Sequence, residues 1–399
     1  MRIAMLADAY KPHISGITTY IELNKRLLEQ AGQEVFVFTF GDETIEDDEP
    51  RIIRSPGMPL MDTGYHFSFR YSPKAKALLQ TMDVIHVHHP FLSGRLALHY
   101  GRPLSIPIIF TNHTRYDLYA QAYLPGLPEE LSATFLENYM PNFCAAVDLV
   151  ISPSAGMAQV LRHFKVQAPI QVIPNGVDLS RFETATRSLT RASLGLKKND
   201  LALIYTGRLA REKNLSFLLD AFNGVTQEIQ NVHLIMVGNG PEREALQKQA
   251  AASAAPQRIH FIGAIDYNII PDYLALCDVF VTASISEVHP LSIIEAMAAG
   301  LPALGIRSVG VGDTIRDGET GFLAPEELPA FTAKLTHLCL DAPLRAKMGQ
   351  AARVASQTYD IRRTSQIMLE HYQRLSAARV THQKGLGYQL RRLAERFRT

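Results

Sequence analysis

Glu287 and Glu295 stand eight residues apart in Ser284-Ile-Ser-Glu287-Val-His-Pro290-Leu-Ser-Ile-Ile-Glu295-Ala-Met-Ala-Ala-Gly300-Leu-Pro302. Two acceptor-only carboxylates near a helix N-terminus can grip several hydroxyls of one polar ligand, as a sugar or a ribose would offer. A second group, Gly207-Arg208-Leu-Ala-Arg211-Glu212-Lys213-Asn214, gathers cations. Arginine as a planar fork and lysine as a point charge suit a diphosphate, whereas a plain basic loop would only make surface ion pairs. A third group is the histidines of Asp83-Val-Ile-His86-Val-His88-His89-Pro90 and Phe110-Thr-Asn112-His113-Thr-Arg115-Tyr116. They read as hydrogen-bonding partners for sugar hydroxyls or as groups that shape a reaction centre. A metal site at His88, His89 and His113 lacks any cysteine or supporting ligand pattern, so no metal is expected.

The elements that must hold these groups are strand–loop–helix units. Val279–Thr282 reads as a buried strand and Pro290–Ala299 as a helix, with proline suited to its first position and Gly300 and Pro302 stopping it. Glu287 then lies on the loop entering the helix, with Glu295 inside it. The cationic loop follows a strand at Leu201–Thr206 and precedes a helix at Leu215–Phe222, a setting that favours anions. Pro12-His-Ile-Ser15-Gly16-Ile-Thr-Thr19 joins the first strand to a long helix, and Gly16 would let backbone approach a phosphate or sugar closely or serve a plain turn. Val237-Gly238-Asn-Gly240-Pro241 is a further tight turn, with Pro241 starting a helix; it lacks a full dinucleotide fingerprint, so NAD is not inferred. At Phe261-Ile-Gly263-Ala-Ile265 a flat base could lie against apolar side chains, and ordinary core packing fits those positions equally well.

A chain of 399 residues is too long for one ordinary core, which makes two domains the expectation. Hydrophobic content of 47% with 20% charged residues excludes disorder, and a net charge of +1 gives no reason to expect nucleic acid. Cys144, Cys277 and Cys339 lie far apart in apolar runs and read as buried free thiols of a reducing compartment. No run approaches the roughly 18 apolar residues that span a bilayer, so the expectation is a cytoplasmic protein, peripheral at most on the inner face of the membrane.

Short apolar runs alternate with helical patterns throughout, as in parallel sheets covered by helices. Strands are expected at Arg2–Ala7, Glu34–Phe40, Val84–Val87, Pro107–Thr111, Leu149–Ser152 and Ile170–Ile173 in the first half. In the second half they are expected at Leu201–Thr206, His233–Val237, Ile259–Ile262, Val279–Thr282 and Ala303–Gly305. The fold class is α/β, with two Rossmann-like doubly wound domains, 1–175 and 176–358, facing across a cleft where ligand binds at the strands' carboxyl ends. Residues 359–399 form a helix, Tyr359–Leu375, and a basic tail holding Arg379, Lys384, Arg391, Arg392, Arg396 and Arg398. The tail reads as a basic amphipathic segment for an anionic membrane surface, or as a solvated terminus. The acidic run Asp42–Glu49 would oppose such a surface if it faced the membrane.

Together these motifs, with Thr111-Asn-His-Thr114 and Ile173-Pro-Asn-Gly-Val-Asp178, resemble the family 4 retaining glycosyltransferases of the GT-B fold over nearly the whole chain. His88-His-Pro-Phe91 and Thr111-Asn-His-Thr-Arg-Tyr116 are similar to the branch that glucosylates diacylglycerol. The resemblance implies that Arg208 and Lys213 hold the donor diphosphate, that Glu295 binds the nucleotide ribose, and that Glu287 contacts sugar hydroxyls. It also implies that His113 contacts the sugar from the N-terminal, acceptor-side domain, that Gly16 admits phosphate or sugar, and that backbone at Gly263–Ile265 borders the base. The donor, a substrate and not a cofactor, would be a sugar nucleotide such as UDP-glucose, and the acceptor a lipid or small molecule, with no bound metal. The chain departs from the family at His289-Pro290, where many relatives carry an aromatic–glycine pair, and at Ser15, where many carry glycine. A glycoside phosphorylase and a non-catalytic sugar-nucleotide-binding subunit are the rival readings.

Overall fold

The structure is a computed structural model that describes residues 1–13, 15–59, 66–118, 129–183 and 189–383. The chain divides into two units: Met1–Pro174 with the helix residues from Arg362 onward, and Asn175–Ile361.

In the first unit the strands are β1 (Arg2–Leu6), β2 (Glu34–Phe40), β3 (Ile52–Ser55), β4 (Met58–Pro59), β5 (His66–Phe67), β6 (Val84–Val87), β7 (Ile108–Thr111), β8 (Leu149–Ser152) and β9 (Ile170–Val172). Among the described residues seven of them form a parallel sheet in the order β3-β2-β1-β6-β7-β8-β9, while β4 and β5 pair as a separate antiparallel ribbon. Runs such as Ile-Ala-Met-Leu in β1 and Val-Ile-His-Val in β6 are wholly buried, as strands covered on both faces must be. Strand order reverses between β1 and β6, and the loops leaving these two strands carry Ser15-Gly16 and His88-His89. Helix Gly16–Gln30 starts from a capping box: Ser15 Oγ accepts from Thr18 N at 3.2 Å, and Thr18 Oγ1 accepts from Ser15 N at 2.7 Å.

The strand β3 departs from the sequence reading, which left this segment unassigned because Arg54 breaks its apolar run. Arg54 is nonetheless buried, paired with Asp47 and donating to the Lys11 carbonyl at 2.6 Å. Lys25, 2% exposed at the side chain, pairs with Glu29 at 3.1 Å and Glu49 at 3.3 Å. Lys11 reaches Asp48 at 3.3 Å, and the Tyr10 hydroxyl donates to Glu49 at 2.6 Å. Buried charges persist only when paired. Asp47, Asp48 and Glu49 are therefore neutralised within the unit, which removes much of the repulsion expected of the acidic run.

The C-terminal helix begins at Ile361, after a 3₁₀ turn at Gln357–Tyr359, and runs to Gln383, longer than its apolar pattern implies. Met368, Leu369 and Tyr372 enter the core of Ile3, Met5, Ile109 and Leu149. Arg379, assigned from sequence to the basic tail, instead donates to the carbonyls of Met82 and Leu104 at 3.0 and 3.2 Å. The tail cations from Lys384 to Arg398 lie outside the described residues.

The second unit holds β10 (Leu201–Thr206), β11 (Val232–Val237), β12 (Ile259–Gly263), β13 (Val279–Thr282), β14 (Ala303–Ile306) and β15 (Gly321–Ala324). These form a parallel sheet ordered β12-β11-β10-β13-β14-β15, so the order reverses between β10 and β13. Apolar clusters cover both faces, one built on Leu203, Phe222 and Phe331, the other on Ile204, Phe280 and Ile293. The strand β15 escaped the sequence reading because it is short and opens on Gly321, a residue that usually weakens strands. Here glycine is required: its φ is +159°, and a Cβ would lie 2.0 Å from the Ala303 carbonyl oxygen. Cys144, Cys277 and Cys339 are free and buried. No helix among the described residues is long and apolar enough to cross a membrane.

Candidate active site

In the second unit, the loops leaving β10 and β13 meet at the reversal of strand order. A 3₁₀ turn at Arg211–Lys213 ends on Asn214 in the left-handed conformation, φ +52°, from which helix Leu215–Glu228 starts. This places the Lys213 ammonium 2.6 Å from Glu287 Oε1. The hydroxyls of Ser284 and Ser286 donate to the Glu212 carbonyl at 3.5 and 3.4 Å, tying the two loops together. Burial alone would raise the Glu287 carboxyl, but the Lys213 charge and hydrogen bond, with help from Ser284, hold it below the usual carboxylate range. Arg208 is exposed on the same loop and makes no side-chain ion pair among the described residues. One loop therefore offers a free guanidinium and an ammonium already matched to a carboxylate.

The glycines of Val237-Gly238-Asn-Gly240 serve packing more than bending. A Cβ at Gly238 would lie 1.8 Å from the Gly207 carbonyl oxygen, and one at Gly240 2.2 Å from that of Leu209. The loops after β10 and β11 thus lie backbone on backbone, held by Gly207 N–H to Val237 O at 3.0 Å and Leu209 N–H to Asn239 O at 2.9 Å. Pro241 does not start the next helix, which begins at Arg243.

Pro290 is likewise shifted by one place from expectation. It is the N-cap, in extended conformation, and the helix is Leu291–Ala299, closed by Gly300 at φ +85°. The Asn175 side chain of the Pro-Asn-Gly turn donates to the His289 carbonyl at 3.0 Å. His289 is buried, packs edge-on against Tyr359 at 5.0 Å, and leaves Nδ1 without a hydrogen bond. Burial pushes its imidazole down to about 4, so it is neutral at pH 7.

Glu295 is 5% exposed and accepts from the Tyr267 hydroxyl at 2.6 Å. Burial raises its carboxyl, opposed by the Tyr267 hydrogen bond and the charge of Arg181. The Arg181 guanidinium lies 3.9 Å over the Tyr267 ring and also donates to the Tyr267 carbonyl. Sequence reading found neither residue. The available signal was Asp266, whose carboxylate accepts from Asn268 N at 2.7 Å and caps the short turn on which Tyr267 sits. Gly263 adopts φ +90°, its carbonyl accepts from Gly238 N at 2.8 Å, and Ile265 packs partly buried against the core. If Glu295 binds the ribose as the resemblance implies, Tyr267→Phe is expected to weaken nucleotide binding about tenfold, near 1.4 kcal/mol. Titration calorimetry with UDP reads this, and unchanged affinity removes Tyr267 from the site.

In the first unit the strand ends bring four histidines together in three settings. His86 is closed off, Nδ1 to the Tyr372 hydroxyl at 2.6 Å and Nε2 to Thr111 Oγ1 at 2.7 Å. His88 Nδ1 meets His113 Nε2 at 3.0 Å, with Tyr20 edge-on to both rings. His89 turns to another neighbour, its Nδ1 accepting from Asp8 N at 3.1 Å, while Asp8 in turn accepts from Ser93 N at 2.8 Å. The trio His88, His89 and His113 thus does not converge on one point, and no metal-ligating cluster occurs among the described residues. Burial drives His86 down to about 3 and holds His88 and His113 well below the usual imidazole range, helped at His88 by His86, His113 and His89 and at His113 by His86 and His89. Neutral imidazoles can hydrogen-bond a sugar without opposing positive charge that develops on it. Gly16 opens its helix exposed, with nothing within 4 Å of where a Cβ would sit, so packing does not demand glycine there.

Residues 14–181 match the model of Glycosyltransferase Family 4, and residues 186–355 match that of Glycosyl transferases group 1. The chain is 31% identical over 332 residues to an alpha-monoglucosyldiacylglycerol synthase of Streptococcus pneumoniae, covering 81% of this chain and 75% of that protein. It is 27% identical over 381 residues to the alpha-monoglucosyldiacylglycerol synthase of Acholeplasma laidlawii, covering 90% and 93% of the two chains. Among solved structures, Anabaena Alr3699/HepE in complex with UDP-glucose superposes with a TM-score of 0.72 at 21% identity, over 93% of this chain and 99% of that one. Two doubly wound sheets, the carboxylate pair at 287 and 295, the cationic loop at 207–214 and these similarities agree: the chain belongs to the family 4 glycosyltransferases of the GT-B fold, in the diacylglycerol glucosyltransferase branch.

Proposed function

We propose that this glycosyltransferase moves a hexose, with retention and without a bound metal, from a UDP-sugar, UDP-glucose foremost, to the free hydroxyl of diacylglycerol. The Lys213–Glu287 contact at the reversal of strand order is the observation that carries the reading. As the donor bond breaks, negative charge grows on the diphosphate, and Arg208 and Lys213 are the cations that meet it. Glu287 and the neutral His113 receive sugar hydroxyls, Glu295 the ribose, and backbone at Gly263–Ile265 the base, with Gly16 giving room for phosphate or sugar. Among the described residues no side chain is an obvious covalent nucleophile. The acceptor hydroxyl attacks from the face that the diphosphate leaves, and a phosphate oxygen takes its proton.

The lipid acceptor is supported by the relatives' activity and by a surface of the first unit. Met58 is 70% exposed, Phe67 41% and Phe69 66%, followed in the chain by exposed Arg70, Lys74 and Lys76. Apolar side chains beside cations suit the interface of an anionic membrane, each cation adding about 1 kcal/mol. This surface supports the reading of a peripheral protein on the inner membrane face.

The test is incubation with UDP-glucose, excess chelator and vesicles of diacylglycerol in anionic phospholipid, with mass spectrometry and proton NMR of the first product. An α-glucosyl diacylglycerol formed at full rate under chelation is expected. A β product rejects retention, and loss of activity restored only by magnesium or manganese rejects metal independence. Faster transfer to small soluble sugars rejects the lipid acceptor, and turnover that needs inorganic phosphate but no nucleotide points to a phosphorylase.

A further inference from the structure

The contact between His88 and His113 constrains where their protons sit, and this bears on the proposed sugar contact of His113, on which the following rests. Each ring is neutral and carries one proton, so the 3.0 Å contact from His88 Nδ1 to His113 Nε2 needs one donor and one acceptor. His88 is 0% exposed, and its second nitrogen, Nε2, has no hydrogen-bond partner. The adjacent His86 ring, 4.2 Å away between centroids, offers none, since Tyr372 and Thr111 occupy both its nitrogens. If His113 donated, the His88 proton would sit on Nε2 as a buried N–H with nothing to receive it. If His88 donates, its bare Nε2 is the unpaired atom. Orphaned buried donors are rarer than under-satisfied acceptors, and each unmet group costs about 1–3 kcal/mol.

We infer that His88 donates from Nδ1 and is the positioning residue that fixes the tautomer of His113, whose own proton is thereby held on Nδ1. That nitrogen makes no hydrogen bond among the described residues. His113 then presents an N–H, and it binds a sugar hydroxyl through the hydroxyl's oxygen, leaving that hydroxyl's proton free for a second partner such as a carboxylate. A free imidazole side chain favours the opposite tautomer, so the assignment is open to direct reading.

Long-range proton–nitrogen correlation spectra of the full chain labelled with ¹⁵N-histidine report which ring nitrogen carries the proton. His113→Asn and His88→Phe identify the two resonance sets among the 14 histidines. The expected wild-type spectrum shows His113 protonated at Nδ1 with Nε2 as acceptor. In His88→Phe, His113 is expected to revert to protonation at Nε2 with the Michaelis constant for the donor up about tenfold, and His88→Asn, whose amide N–H can replace that of Nδ1, to restore Nδ1 protonation. A wild-type His113 protonated at Nε2 overturns the inference, whether or not the variants fold. The sugar contact itself is read separately, from donor kinetics of His113→Asn, so the two can fail independently.

Discussion

Lys213→Ala is expected to lower turnover about a hundredfold, the loss of roughly 3 kcal/mol typical when one preorganised charge is removed from a transition state. The ion pair adds a second consequence. Glu287 stays in its low carboxylate range because Lys213 outweighs the effect of burial, so the variant also strands a largely buried carboxylate. Its carboxyl should then rise, moving the acid limb of the pH–rate profile upward. Because the two side chains act as a unit, Lys213→Ala with Glu287→Ala should lose little more than the worse single variant. Lys213→Arg keeps the charge but not the short contact, and belongs between wild type and alanine. Steady-state kinetics with UDP-glucose check all four, and additive losses would mean that the pair seen here has no shared role.

Mild acid is expected to open the first unit before the second. In an unfolded chain a histidine takes up its proton near 6.5, whereas His86 resists until about 3, and His88 and His113 are held well below their ordinary value. The unfolded state therefore binds more protons throughout that window, and stability present above pH 6.5 is lost as pH falls. His86 alone gives up about 1.4 kcal/mol per pH unit below its unfolded value, roughly 2 kcal/mol by pH 5, and His88 and His113 act in the same direction. The second unit has His289, down to about 4, with His233 and His260 lowered but partly open to solvent. Its Glu295 works the other way, because a raised carboxyl binds a proton in the folded state first. Hydrogen exchange at pH 7.5 and 5, corrected for intrinsic rates, should show β1, β6 and β7 losing protection while β10 and β13 keep theirs. Equal protection in both units at pH 5 would show that these imidazoles are not held neutral by the fold.

The carboxylates and cations of the second unit were legible because they punctuate local patterns: Glu287 between a buried strand and a helix, Lys213 just before a helix start. The strands at their feet were legible as apolar runs. What escaped was set by partners distant in sequence. Tyr267 and Arg181 are joined by a hydrogen bond spanning 86 residues, and neither has a local period to mark it. The burial of Lys25 and Arg54 follows from acidic residues on other segments, so their stretches looked like exposed, charged chain. The histidines were visible as a cluster, but their division into a closed ring, a facing pair and a backbone partner required coordinates.

The helix Ile361–Gln383 makes the first unit discontinuous in sequence, since its core joins Ile3 and Met5 to Met368 and Tyr372. Order of synthesis and order of folding are therefore inverted. A ribosome delivers the nine described strands of the first unit early, yet their apolar surface stays incompletely covered until the helix beyond Ile361 emerges. The second unit, one uninterrupted stretch from Asn175 to Ile361, has every core residue in hand before that point. The half of the molecule that is made first is the half that must wait.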